Sequence, residues 1–180
     1  MKLMFASDIH GSYFYGKRVI DIYKEEKAER LILLGDILYH GPRNELPKGH
    51  DPKSLTVLLN EYKNEILCVR GNCDAEVDQM VLEFPITADY LTLFEGGRTF
   101  YITHGHLFDE QKPMPHKAGD VFIYGHIHIP VARKTDDFYA FNPGSVSLPK
   151  ENSKNSYMIY ENGTFTIKDL EGNTVKELTL

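Results

Sequence analysis

Short apolar runs separated by polar turns set the rhythm of this chain. KLMFAS (2–7), RLILLG (30–35), EILCVRG (65–71), RTFYITHG (98–105) and DVFIYGH (120–126) are nearly continuous hydrophobic stretches, each closing on Ser, Gly or His. Runs of this length predict strands buried on both faces. Between the first three the spacing becomes helical. Tyr13 to Lys27 sets Val19, Ile20, Ile22 and Tyr23 on one side, and Asp51-Pro52 supplies an N-cap and first turn for a helix carrying Leu55, Leu58, Leu59 and Tyr62. The early chain therefore reads βαβαβ. Beyond about residue 86 the helical signal fades and strands follow one another: DYLTLFE, PVARKT, FYAFNPG, SYMIYE, TFTIKDL. Asn162-Gly163 marks a hairpin turn, and Glu171-Gly172-Asn173 a second reversal.

This order predicts an α/β fold of two sheets packed face to face, the first partly parallel with flanking helices and the second more antiparallel. A doubly wound single sheet is the competing arrangement. With 180 residues the chain suits one core, so a single domain over 1–180 is expected. The net charge of -6 argues against bulk nucleic-acid binding, which draws on excess Lys and Arg. LMFA is too short for a signal sequence and no run of about 18 apolar residues occurs, so a cytoplasmic protein without a membrane span is expected. Cys68 and Cys73 are accordingly expected to be free thiols.

The chemistry collects at strand ends, where open α/β sheets place ligands. The first strand delivers Asp8 and His10, the second Asp36, the third Asn72, and later strands His104 and the His126/His128 pair. In extended backbone, positions two apart point the same way, so each pair is expected to aim at a common point. Taken singly, a histidine after an apolar run is more often a hydrogen-bonded structural residue than a ligand. Five strands ending in ligand-type residues are harder to explain blandly. Two carboxylates, four imidazoles and a carboxamide form a mixed N/O set suited to Mn, Fe or Zn. Seven side chains exceed one ion's needs and fit two, with Asp36 as the expected bridge.

FASDIHG, LLGDIL, VRGNCD, THGH and YGHIH, in this order, resemble the blocks D-x-H, G-D, G-N-H-D/E, H-G and G-H-x-H of the calcineurin-like metallophosphoesterase superfamily. GDILYHGPRNELP, RGNCDAEVDQM, FPITA and FNPGSVSLPK further resemble its small YfcE-type phosphodiesterases. The resemblance implies a four-layer αββα sandwich of two mixed β-sheets flanked by helices. It implies one metal held by Asp8, His10, Asp36 and His128 and a second by Asp36, Asn72, His104 and His126. Mn²⁺ is the implied ion, with Zn²⁺, Fe²⁺ or Ni²⁺ as alternatives.

In that superfamily a histidine that protonates the leaving group or binds phosphate commonly follows the asparagine; here Cys73 stands in its place, with the following acid kept as Asp74. No base adjoins Cys73 in sequence to make it a nucleophile, and a thiol is a poor substitute for an imidazolium acid. The expected activity is hydrolysis of small or activated phosphodiesters by in-line attack of a metal-bridging hydroxide, with Asp8, Asn72, Cys73 and His104 as catalytic candidates. Asn72, Arg43 and His40 are candidates for substrate binding, and His106 for a supporting or acid role. His50 and His116 read as surface histidines. A phosphomonoesterase, a nuclease or a non-catalytic scaffold are the alternatives, and late exposed strands leave room for a homodimer or higher homo-oligomer.

Overall fold

The computed structural model describes all residues, Met1–Leu180. Its first sheet has six strands in the order β11-β10-β9-β1-β2-β3, and its second has five in the order β4-β5-β6-β8-β7. In the first, β1 (Lys2–Ala6), β2 (Arg30–Leu33) and β3 (Ile66–Cys68) run parallel, joined by α1 (Tyr13–Glu26) and α2 (Pro52–Asn60). Both faces of these strands are buried for a simple reason. Met4, Ala6, Leu31, Leu33, Ile66 and Cys68 pack under Val19, Ile20, Leu55 and Leu59 of the helices. Leu3, Phe5, Ile32 and Leu34 face the second sheet and meet Phe100, Ile102, Val121, Ile123 and Phe141.

The second sheet comprises β4 (Tyr90–Glu95), β5 (Arg98–Thr103), β6 (Val121–Ile123), β7 (Pro130–Lys134) and β8 (Tyr139–Pro143). Its outer face is covered without a helix. Phe108 and Met114, from the irregular segment after β5, pack on Phe122, Tyr124, Phe138 and Ala140. Two mixed sheets with helices on the first are thus the architecture. The expectation of a more antiparallel second sheet needs correcting. It holds two parallel and two antiparallel pairings, because β9 (Ser156–Glu161), β10 (Thr164–Asp169) and β11 (Thr174–Thr179) form an antiparallel meander that joins the first sheet, with β9 antiparallel to β1. The reason is burial: β9 carries Tyr157 and Ile159 on one face and Met158 and Tyr160 on the other, so it needs cover on both sides. The place beside β1, between helices and second sheet, provides it.

The helix starts are tied to the site. Ser12 accepts from the Tyr15 N–H at 3.1 Å and donates to the Lys48 carbonyl at 2.6 Å, an N-cap worth about 1 kcal/mol that fixes the turn following His10. A short α3 (Glu76–Gln79) follows the Asn72 loop. No helix is long and apolar enough to cross a membrane.

Candidate metal centre

The seven strand-end residues do converge, but not through extended backbone. Asp8, His10, Asp36, His126 and His128 all have φ between 52° and 68°, in the left-handed region. This corrects the expectation that alternation along a strand aims the two pairs. A left-handed residue after each strand turns the chain sharply and sends the side chain back over the strand end. Each such residue costs on the order of 1 kcal/mol and persists only where its surroundings over-determine it. Here they do. The N–H groups of Asp8 and His10 donate to the carbonyls of Gly35 (3.2 Å) and Asp36 (2.9 Å), and the hydroxyls of Ser145 and Ser147 both donate to the Asp8 carbonyl (2.9 and 2.8 Å).

The hydrogen bonds leave one set of lone pairs bare. His10, His104 and His128 each donate Nδ1–H to a backbone carbonyl, of Tyr39 (2.9 Å), Leu34 (2.6 Å) and Leu148 (2.6 Å). In the neutral ring that tautomer turns the Nε2 lone pair toward the centre as a ligand atom. The carboxylates are divided in the same way. Asp8 Oδ2 accepts from the Ser7 hydroxyl (2.6 Å) and the His126 N–H (3.1 Å), while the buried Oδ1 has no hydrogen-bond partner. Asp36 Oδ1 accepts from the Cys73 N–H at 2.8 Å, leaving Oδ2.

The bare atoms face one another. Asp8 Oδ1 lies 3.2 Å from His128 Nε2 and 3.7 Å from His10 Nε2; Asp36 Oδ2 lies 3.7 Å from His10 Nε2 and 3.5 Å from His104 Nε2. His10 and His128 approach at 3.3 Å, Nε2 to Nε2, and the Asn72 carboxamide oxygen is 3.1 Å from His104 Nε2. Buried acceptors turned toward one another without donors are costly unless a cation sits among them. The donor set, all nitrogen and carboxyl or amide oxygen, fits a hard or borderline divalent ion. Asp36 touches both groups of imidazoles. His126 stands at the edge, its ring centroid 5.1 Å from that of His104.

The sequence model of the calcineurin-like phosphoesterase superfamily domain matches residues 1–164. The chain belongs to that superfamily. It is 44% identical over 175 residues to phosphodiesterase YfcE of Escherichia coli (strain K12), covering 97% of this chain and 95% of that one. It is 30% identical to phosphodiesterase MJ0936 of Methanocaldococcus jannaschii over 80% of this chain and 83% of the other. The solved structure of the Escherichia coli phosphoesterase YfcE superposes with a TM-score of 0.97 at 43% identity, covering 99% of each chain. Vacuolar protein sorting 29 of Cryptosporidium parvum, 12% identical with a TM-score of 0.62 over 99% of this chain and 98% of its own, shows the fold alone.

At the superfamily's histidine position, Cys73 is half-buried, its Sγ within 4.8 Å of the ligand atoms of His10 and Asp36. Burial and the Asp36 charge push its pKa up to about 12, so at neutral pH it is a thiol and no nucleophile. Asp74 turns away from the cavity. It accepts from the N–H groups of Asp36 (2.9 Å), Ile37 (2.9 Å) and Gly71 (2.7 Å), and so clamps the loops of two strands together. Gly71 is required there, since a Cβ would collide with the Asp36 carboxylate. The His106 ring packs with its centroid 5.3 Å from that of His104, and burial and the neighbouring His104 lower its pKa.

Above the bare atoms opens a cavity of about 540 Å³ lined by Asp36, Asn72, Cys73, His126 and His128, with Gly41, Pro42, Arg43, Asn44, Ile127 and Lys150 around it. Arg43 lines this cavity. His40 is not: Gly41, at φ 80°, reverses the chain, and His40 packs edge-on against Tyr39 and His50 in a neighbouring apolar pocket. His50 and His116 are half-buried rather than free on the surface; His116 bonds the Met114 carbonyl and Asp137 over the second sheet. Ser7, Ser145, Ser147 and Lys150 escape the sequence reading. GSVS announces only a turn, and nothing in PK marks a cavity rim.

Proposed function

We propose that this chain is a metal-dependent phosphodiesterase whose seven strand-end ligands hold two divalent ions that share Asp36. The observation that carries the reading is the set of three Nδ1–H bonds to backbone carbonyls, which commits three Nε2 lone pairs to the centre beside the unpartnered Asp8 Oδ1. The names of YfcE and MJ0936 as phosphodiesterases support the substrate class. When bound, a pair of divalent ions supplies Lewis-acid stabilisation of phosphoryl charge and a water of lowered pKa.

The chain's own groups supply the rest. Asn72, part of the VRGN turn, holds its carboxamide beside His104 and offers its NH₂ side to a phosphoryl oxygen; that NH₂ rests on Cys73 Sγ at 3.3 Å. The carbonyl anchors fix the imidazoles before substrate arrives, so little reorganisation accompanies the reaction. Cys73 supplies no strong acid to the leaving group, so diesters with good leaving groups react fastest.

The test strips the protein of metal, restores Mn²⁺, Zn²⁺ or Mg²⁺, and compares bis(p-nitrophenyl) phosphate with p-nitrophenyl phosphate. Metal-dependent diester cleavage exceeding monoester cleavage is expected. A rate indifferent to stripping and restoration refutes the reading, and two bound ions without hydrolysis of any ester would favour a non-catalytic scaffold.

A further inference from the structure

The cavity wall carries charge that the reaction centre does not use. In a chain with 26 Asp and Glu against 20 Lys and Arg, the exposed rim presents Arg43 and Lys150 and no carboxylate. Arg18, Arg70, Arg133 and Lys154 are each held by an acid elsewhere on the surface. Arg43 and Lys150 are left to face the cavity.

Both are mounted on backbone tied to the centre. The Lys150 N–H donates to the His128 carbonyl at 3.2 Å, and its own carbonyl accepts from the Ser153 hydroxyl at 2.6 Å. On the other side the Asn44 amide donates to the His40 carbonyl at 2.7 Å, closing the turn that carries Arg43. That turn is seated on Cys73: a Cβ on Gly41 would lie 3.1 Å from Sγ. The short thiol thus leaves space for the Arg43 turn to approach.

The lining has no Phe, Tyr or Trp to serve as a stacking platform for a nucleobase; its aromatic rings are only the candidate ligand imidazoles of His126 and His128, and Pro42 and Ile127 are its only apolar members. Two unpaired cations and two small apolar contacts suit a compact anionic group. We propose that Arg43 and Lys150 form a subsite for a second anion, so that the substrate is a phosphodiester whose retained alcohol bears a carboxylate or a further phosphate. This deepens the diesterase reading and rests on it.

Four esters test it, all releasing p-nitrophenol from the same phosphorus, with propyl, 2-carboxyethyl, 2-phosphoethyl or choline as the retained arm. With the Mn²⁺-loaded full chain, kcat/KM for an anionic arm is expected to exceed that for propyl roughly fivefold, through KM, since exposed charge pairs are each worth a modest factor. Choline is expected to fall below propyl, and the spread to shrink at high salt. The larger of the two anionic ratios distinguishes carboxylate from phosphate. In the Arg43→Gln/Lys150→Gln double variant the anionic-to-propyl ratio is expected to fall to about one. Equal values for all arms, or a ratio unchanged in the double variant, overturns the subsite and leaves the diesterase reading standing. No hydrolysis of any of the four overturns that reading and the subsite with it.

Discussion

Replacing Asp74 by Asn removes one oxygen from a side chain that is only 4% exposed and serves three N–H groups. Oδ2 accepts from Asp36 and Gly71, and Oδ1 from Ile37. An asparagine keeps at most the first two bonds, now neutral, and turns its NH₂ against the Ile37 N–H. A buried N–H left unpaired costs about 1–3 kcal/mol, and loss of the charge on the other two bonds adds roughly 1 kcal/mol. Relief of a buried charge offsets part of this, because burial raises the Asp74 pKa even against its three donors. A net loss of about 2 kcal/mol remains. With an m-value of about 2 kcal/mol/M, the urea midpoint of the metal-stripped protein is expected to fall by about 1 M at neutral pH. Because the same bonds hold the Asp36 loop to the Asn72 loop, Mn²⁺ affinity is expected to fall at least about tenfold. An unmoved midpoint together with unchanged Mn²⁺ affinity would refute this view of Asp74 as a clamp.

Three further outcomes follow from single contacts. Gly71→Ala, whose Cβ collides with Asp36, is expected to lose most Mn²⁺ binding in equilibrium dialysis while keeping its circular dichroism spectrum; full binding would show that the loop gives way easily. Cys73→His puts a larger, better acid against the Gly41 turn, so relative rates on aryl and alkyl diesters are expected to converge; an unchanged ratio in a metal-loaded variant contradicts that. Glu26 is half-buried, yet its bonds to Lys168 (2.7 Å), Lys2 (2.9 Å) and Tyr157 (3.0 Å) outweigh burial and lower its pKa to about 2. A depressed carboxylate stabilises the fold above its unfolded pKa and loses that contribution as pH falls through the folded value. Thermal stability is therefore expected to drop between about pH 4.5 and 2, less steeply in Glu26→Gln, and equal slopes in the two proteins would exclude this group.

Much of this was legible because burial writes itself into sequence. β1 and β2 lie between helices and a second sheet, so every position after the first is apolar and the runs LMFA and LILL stand out. The candidate ligands were legible because each follows such a run. What stayed hidden was conformational or depended on distant pairing. The left-handed backbone at five of the seven positions has no local signal in residues other than glycine, and it reverses the expected geometry while keeping the convergence. SYMIYE looks the same whether it extends one sheet or the other; its place beside β1 is decided by cover on both faces. Asp74 reads as a partner for its neighbour until its three backbone donors are seen. His40 and Arg43 sit three residues apart and enter different pockets, a parting set by Gly41.

Metal stoichiometry bears most directly on the central claim. After stripping, equilibrium dialysis against Mn²⁺ with elemental analysis is expected to give two ions per chain in the wild type and no more than one in Asp36→Asn, whose carboxylate faces both groups of imidazoles. A wild type that holds one ion or none, or an Asp36→Asn protein that still holds two, would contradict the account.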